Sequence, residues 1–275
     1  MRRLLRHPSG LIGFVMVSLL AVAAVVSLVW TPHDPLAVDP ANGWASPSLG
    51  HLFGTDALGR DLFSSILVGA QVTFAASLLA TGIAGTLGLA FALVVVLVPP
   101  LLSSLLQRSI DIMIAFPTLV LAIILVTSFG ASTFIASLAI GLGASVVVAR
   151  TVLPEFRRSL ASDYVLLGTA AGASGPQLMV RHVLPDAGST VVVRLTQIMA
   201  VSALAEAGLS YLGFGTPAPT PSWGRTLADL QAQVMVRPEV LIVPSICIVL
   251  VVLGFNLLGD GLRDILDPRI RRSRS

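Results

Sequence analysis

Few side chains in this sequence could carry covalent or acid–base chemistry, and they stand far apart. Within the apolar stretches almost no charged group occurs beyond Arg194 and Glu206. An enzyme working inside a membrane needs a nucleophile and base, or metal ligands, that meet there, and the sequence offers no such constellation. Cys247 is the single cysteine, so it forms no intrachain disulfide. His7, His33, His51 and His182 are scattered along the chain, which argues against a metal site. Every basic residue other than histidine is arginine. A phosphate-binding loop of the GxxxxGK[ST] type needs a lysine ammonium, so this chain carries none, and any ATP that drives it is bound by another subunit.

Glu206 is the residue with the most to explain, because a carboxylate in an apolar span is a functional candidate by default. It lies near one end of its span, and two roles fit it: a structural pairing with water or a loop partner such as Arg225, or a place on the lining of a solute pathway. Arg194, about one turn inside the other end, is expected to snorkel toward the interface. With Gln197 and Ser202 these residues make the span the most polar of the set, and hence the one expected nearest a pathway.

The elements that must position these residues are membrane-spanning helices. Of 275 residues, 55% are hydrophobic and 11% charged, and the mean hydropathy is +0.91; a soluble domain carries roughly 25% charged residues. Apolar runs of spanning length occur at Leu11–Trp30, Val72–Val98, Ile110–Phe129, Thr133–Ala149, Thr190–Leu212 and Val240–Leu258. The first is too long for the core of a cleaved signal peptide and lacks a small-x-small ending, so it reads as a retained anchor. Arg2, Arg3, Arg6, Arg108, Arg150, Arg157, Arg158, Arg181, Arg263, Arg269, Arg271, Arg272 and Arg274 fall on one side of these runs, and Arg60, Arg225 and Arg237 on the other. Positive charge is retained on the cytoplasmic side, so both termini are expected there. The net charge of +3 is explained by this flanking pattern, with no nucleic acid implied. Pro117 is expected to kink the third span or mark its start. Gly82, Gly85 and Gly88 in the second span, and Gly141 and Gly143 in the fourth, suit close helix packing, either within the chain or against a second membrane subunit.

The chain therefore divides into an anchor (1–30), an external loop (31–71), a core of five further spans (72–259) and a tail (260–275). The external loop holds Pro32, Pro35, Pro40, Pro47 and Trp44 and is expected to form an irregular cap before a short helix around Asp61–Gly69. Between the fourth and fifth spans lies the cytoplasmic segment Glu155–Pro185. Ser162 or Asp163 can cap a short helix there, Gly172 suits the left-handed residue that ends it, and Pro176 sits where a second helix would start. Leu184-Pro185 is expected to close the unit. The two short helices would form a knob whose apolar residues Tyr164, Leu167, Ala171 and Leu178 need a partner.

This segment resembles the EAA loop of ABC importer permeases, which has a central glycine and an Ile-x-Leu-Pro ending. Gly172 and Leu184-Pro185 match; Leu166-Leu167-Gly168 stand at the Glu-Ala-Ala positions and His182 at the isoleucine. Gly172-Ala173-Ser174 and Arg181-His182-Val183-Leu184-Pro185 are similar to the dipeptide/oligopeptide/nickel branch. Other stretches resemble its C-type permease: His51-Leu52-Phe53-Gly54-Thr55-Asp56 with Gly59-Arg60-Asp61, Phe116-Pro117-Thr118-Leu119, Leu209-Ser210-Tyr211-Leu212-Gly213-Phe214-Gly215, Pro221-Ser222-Trp223-Gly224, and Phe255-Asn256-Leu257-Leu258-Gly259-Asp260-Gly261-Leu262 with Asp267-Pro268-Arg269.

The resemblance implies an all-α permease of the type I importer fold, with six spans, in the bacterial cytoplasmic (inner) membrane. It implies as partners a second homologous permease, two ATPases that bind ATP and Mg, an extracytoplasmic substrate-binding protein and membrane lipid. The knob, with Asp163, Tyr164, Leu167, Ala171, Gly172, Ala173, Ser174, Arg181, His182, Leu184 and Pro185, would couple ATP binding to the spans, with no catalytic residue and no cofactor in this chain. The branch handles dipeptides and oligopeptides, and also nickel complexes, haem and other small solutes; the evenly scattered histidines favour peptides. A secondary transporter or channel is the remote alternative, since it would place ionisable sites near the midplane and would leave the knob without purpose.

Overall fold

A computed structural model describes residues 8–266. The arginines and His7 before Pro8, and the Asp267-Pro268-Arg269 stretch with the arginines after it, lie outside the described residues. Apart from one isolated antiparallel bridge between Thr55 and Asp61, the described residues are helices, turns and loops: α1 (Pro8–Val29), α2 (Leu62–Leu97), α3 (Pro100–Ile114), α4 (Thr118–Phe129), α5 (Thr133–Leu160), α6 (Asp163–Ala170), α7 (Gly175–Leu178), α8 (Leu184–Tyr211), α9 (Trp223–Leu230) and α10 (Glu239–Leu266). Five helical stretches among them are long and apolar enough to cross a membrane, and α3 with α4 makes a sixth if that bent pair is one span.

The third span differs from its expected form. Ile110–Phe129 is not one helix: α3 ends at Ile114 and α4 begins at Thr118, with an angle of 81° between them. Pro117 is the cause, since it has no N–H to donate and disfavours helical geometry at Phe116. Alone, the 12 residues of α4 rise roughly 18 Å, less than the roughly 30 Å of a bilayer's hydrocarbon core. Gly130, at φ 92°, ends α4.

Other helices run further than the apolar runs suggest. No separate helix covers Asp61–Gly69, because α2 begins at Leu62 and continues unbroken for 36 residues. Gly69 lies inside it as a contact point, where a Cβ would overlap the Trp223 ring. The fourth span extends through Pro154 to Leu160, and the sixth to Leu266. Leu184-Pro185 does not close the knob. Residues 175–211 form one continuous helical stretch that opens to a π-turn at Met179–Val183, where Leu184 N–H donates to the Met179 carbonyl. Pro185 explains the widening: its ring would collide with the carbonyl four residues back in a regular helix, and an i→i+5 turn relieves this.

The spans pack around α2, which meets α5 most extensively and also α1 and α8. Small residues allow the approach. A Cβ on Gly88 would run into the Ser145 carbonyl and Val148 of α5, one on Gly141 into Ala80 and Ile83 of α2, one on Gly143 into Thr118, and one on Gly85 meets Leu195. These four glycines thus serve packing inside the chain, whereas Gly82 faces open space. Three apolar clusters fill the bundle: one with Leu20, Ile66, Trp223 and Phe255, one with Ala80, Val126, Ile140 and Leu209, and one with Val95, Val152, Phe156, Met179 and Val183. The exposed apolar face of α1, with Leu19, Val22, Val25 and Val29, is what a lipid-facing helix presents.

Candidate functional site

The knob is built as its residues suggest. Ser162 is the N-cap residue of α6, although its hydroxyl turns back to the Ser159 carbonyl and does not cap. At the other end Gly172 takes φ +86°. Its N–H donates to the Thr169 carbonyl at 3.0 Å, and Ala173 N–H donates to the Gly168 carbonyl at 3.1 Å, which together form a Schellman motif. Pro176 then starts α7. Leu178, expected to need an outside partner, is buried within the chain against Gly168, as are Val165, Met179 and Val183.

That anchoring leaves Tyr164, Leu167 and Ala171 open as expected, joined by Leu166 and Val180. Leu167 is 70% exposed, Val180 69%, Leu166 55% and Tyr164 46%. Asp163, Ala171, Gly172, Ser174, Arg181 and Pro185 are exposed beside them, with Ala173, His182 and Leu184 half-buried. Tyr164 is steadied by a 3.2 Å hydroxyl contact with Ser159 and by the His182 ring, 5.7 Å between centroids. A Cβ on Gly175 would meet Leu97, and Val95 shares an apolar cluster with Met179 and Val183, so the knob sits near the C-terminal end of α2.

The polar residues of α8 form two groups. Near the knob, Arg194 donates to the Gln197 side-chain carbonyl at 3.0 Å. Both line an open cavity of about 590 Å³ with Glu155, Arg158, Asp186 and Arg263, so Arg194 faces a polar recess of the protein. Farther along α8, Glu206 is 1% exposed. Its carboxylate accepts from Ser210 at 2.6 Å, from Thr216 at 3.3 Å and from Thr73 of α2 at 3.4 Å. Ser210 in turn accepts from Thr216 N–H, and the Thr216 hydroxyl meets that of Thr133 on α5. Arg225 is not the partner; it lies 4.0 Å from Asp229. Hydroxyls from α2, from α8 itself and from the loop after it therefore converge on one carboxylate, and Thr133 of α5 joins them through Thr216. Ser202, one turn before Glu206, is buried with no hydrogen-bond partner for its hydroxyl.

At the N-terminal end of α2, Asp61 caps the helix by accepting from Ser64 N–H and Ser64 Oγ, both at 2.7 Å. Its other carboxylate oxygen is 3.0 Å from His51 Nδ1, while His33 Nδ1 lies 3.8 Å from the oxygen that accepts from Ser64. Burial pushes the Asp61 carboxyl up, but the hydrogen bonds from Ser64 and His51 and the charge of His33 outweigh it and hold the group below its ordinary value. The two imidazoles stack, 4.6 Å between centroids. Distance in sequence hid this grouping; the Asp-x-x-Ser spacing of a helix N-cap was its one local signal.

An all-helical bundle with apolar outer faces and a half-anchored knob between two spans defines a multi-span membrane protein. The comparisons with known proteins say which kind. Residues 84–272 match the binding-protein-dependent transport system inner membrane component family, and the chain belongs to that family of ABC importer permeases, in its peptide/nickel branch. It is 36% identical, over 98% of its own length and 89% of theirs, to the glutathione transport system permease protein GsiD of Escherichia coli and to that of Shigella boydii. Among solved structures, the MetNI methionine ABC transporter in inward-facing conformations is similar at a TM-score of 0.59 and 17% identity, over 76% of this chain and 96% of that one. An amino acid ABC transporter crystallised with histidines gives 0.53 and 18%, over 74% and 94%. These two likenesses concern the fold.

Proposed function

We propose that the chain is one of two permeases of an ATP-driven importer in a bacterial inner membrane, moving peptide-sized solutes of the glutathione class, with the 155–185 segment docking on an ATPase subunit. The observation that carries this reading is the open apolar face of the knob, Leu166, Leu167 and Val180, on a unit whose Val165, Leu178, Met179 and Val183 are already buried. A partner that covers this face removes from water what the chain itself leaves uncovered. The relatives named for glutathione transport supply the solute class.

The geometry suggests how docking would act on the pathway. The stretch Gly175–Tyr211 is helical throughout, so a displacement of α7 is carried along a rod of roughly 55 Å. That rod holds Arg194, Gln197, Ser202 and Glu206, and the hydroxyl network at Glu206 is where it grips α2 and α5. Closure of the ATPase pair on ATP and Mg would then bias the bundle between two arrangements, which requires only that the docked partner favour one of them. The arginines flanking the spans favour the knob and both termini inside, with an external binding protein delivering solute at the 31–71 loop.

The test is uptake and ATP hydrolysis in vesicles holding this chain with its companion permease, ATPases and binding protein. Glutathione or short peptides are expected to stimulate hydrolysis and to accumulate. A complex that ignores both but responds to a nickel complex or haem would overturn the solute class. A complex that transports without ATP would overturn the importer.

A further inference from the structure

We propose that His33, His51 and Asp61 form a binding site for a divalent first-row transition metal of the zinc type, which pins the external loop to the start of α2. This site is independent of the knob and of the solute transported. Two imidazoles and a carboxylate are a donor set that zinc takes in proteins. One ligand atom from each of the three residues can be chosen so that all lie within 4.8 Å of one another. The 3.0 Å between His51 Nδ1 and the Asp61 carboxylate oxygen is close to the roughly 3.3 Å between neighbouring ligands on a tetrahedral shell of about 2.0–2.1 Å radius. His33 Nδ1, 3.8 Å from the carboxylate, needs only a small ring movement, and its side chain is 43% exposed and free to make it.

The residues behind the ligands support the reading. Well-built metal sites hold their ligands by outer hydrogen bonds, and here one residue does so for two of them. Ser64 donates through both its N–H and its hydroxyl to Asp61, and the same hydroxyl accepts from His33 N–H at 3.1 Å. Asp61 is 3% exposed, so its orientation is fixed by the helix start, while the stacked imidazoles bring their Nδ1 edges to the same carboxylate. The metal takes the place of the proton shared between His51 and Asp61. With three protein ligands the fourth position is left to water on the open side of His33. The consequence is a cross-link between three segments: the turn after α1, the middle of the external loop and the cap of α2.

The experiment uses the full chain without a polyhistidine tag, purified in detergent, stripped with a chelator and titrated with Zn2+ against a chromophoric competing chelator. One zinc per chain is expected, with His33→Ala and His51→Ala each weakening binding at least ~10-fold and the double variant losing the stoichiometric site. His7 and His182 remain in every variant, so binding by them would survive the double substitution. A wild-type chain that takes up no stoichiometric zinc, or a double variant that binds as tightly as wild type, overturns the proposal. Should the double variant fail to fold, the zinc X-ray absorption edge of the wild-type protein decides. Scattering from two imidazoles and one carboxylate is expected, and a spectrum without imidazole overturns the site.

Discussion

At its N-terminal end α2 is held by a closed set of polar contacts, whereas its C-terminal end, roughly 54 Å away along a straight helix, meets a knob held by a few buried apolar side chains. At the first end Asp61, Ser64, His33 and His51 satisfy one another. Asp56 accepts from Leu58 and Arg60 N–H, and Arg237 donates to the Trp44 carbonyl at 2.8 Å while lying over its ring. At the second end, Val165, Leu178, Met179 and Val183 point inward and Leu166, Leu167 and Val180 outward. The difference is what the proposed docking requires. A cap that keeps one shape satisfies its polar groups internally, while an element that docks on a partner leaves surface for it and stays cheap to displace.

The comparison can be broken most sharply at the cap end. Gly224→Val would drive a Cβ into the Ala207 carbonyl and backbone, where no flexible side chain can yield. A loss of about 3 kcal/mol in stability is expected, read by thermal unfolding in detergent. Next, Asp61→Ala removes the cap of α2 and leaves Ser64 N–H and its hydroxyl without their acceptor. About 1–3 kcal/mol should be lost in metal-free protein, and a smaller loss would mean that the cap end is held by packing alone. At the knob, Gly172→Ala meets no neighbouring atom and suffers only from its positive φ, so about 1 kcal/mol is expected. Hydrogen exchange should find that loss confined to the amides of the turn that follows α6. The smallest effect belongs to Leu167→Glu, on a side chain 70% exposed. Stability should stay within about 0.5 kcal/mol of wild type, yet stimulated ATP hydrolysis by the assembled complex should fall. If Leu167→Glu instead unfolds the knob, its outer face is structural and the contrast between the two ends fails.

Much of the fold was legible because it depends on local patterns. Runs of about 20 apolar residues marked five spanning helices, Gly172 and Pro176 marked the knob's turn, and Pro117 marked the break between α3 and α4. The bend of 81° was not legible, since Pro117 fixes where a helix stops but not where the next one points. Nor was the continuity of α7 with α8: Pro185 reads as a boundary until a π-turn absorbs its ring. The setting of Glu206 escaped for another reason. Its partners Thr73, Ser210 and Thr216 are ordinary hydroxyls, one of them 133 residues away, whereas charge pairing directs attention to Arg225. His33, His51 and Asp61 likewise meet only after the external loop has folded back on α2.

The most direct measurement places a photo-crosslinking residue at position 167, and as a control at Val201 on the exposed face of α8, in the complex assembled with its ATPases. The expected result is an adduct between position 167 and an ATPase subunit, with none from position 201. A position 167 that reacts with lipid or with the companion permease, and never with an ATPase, would contradict the account of the knob as the coupling element.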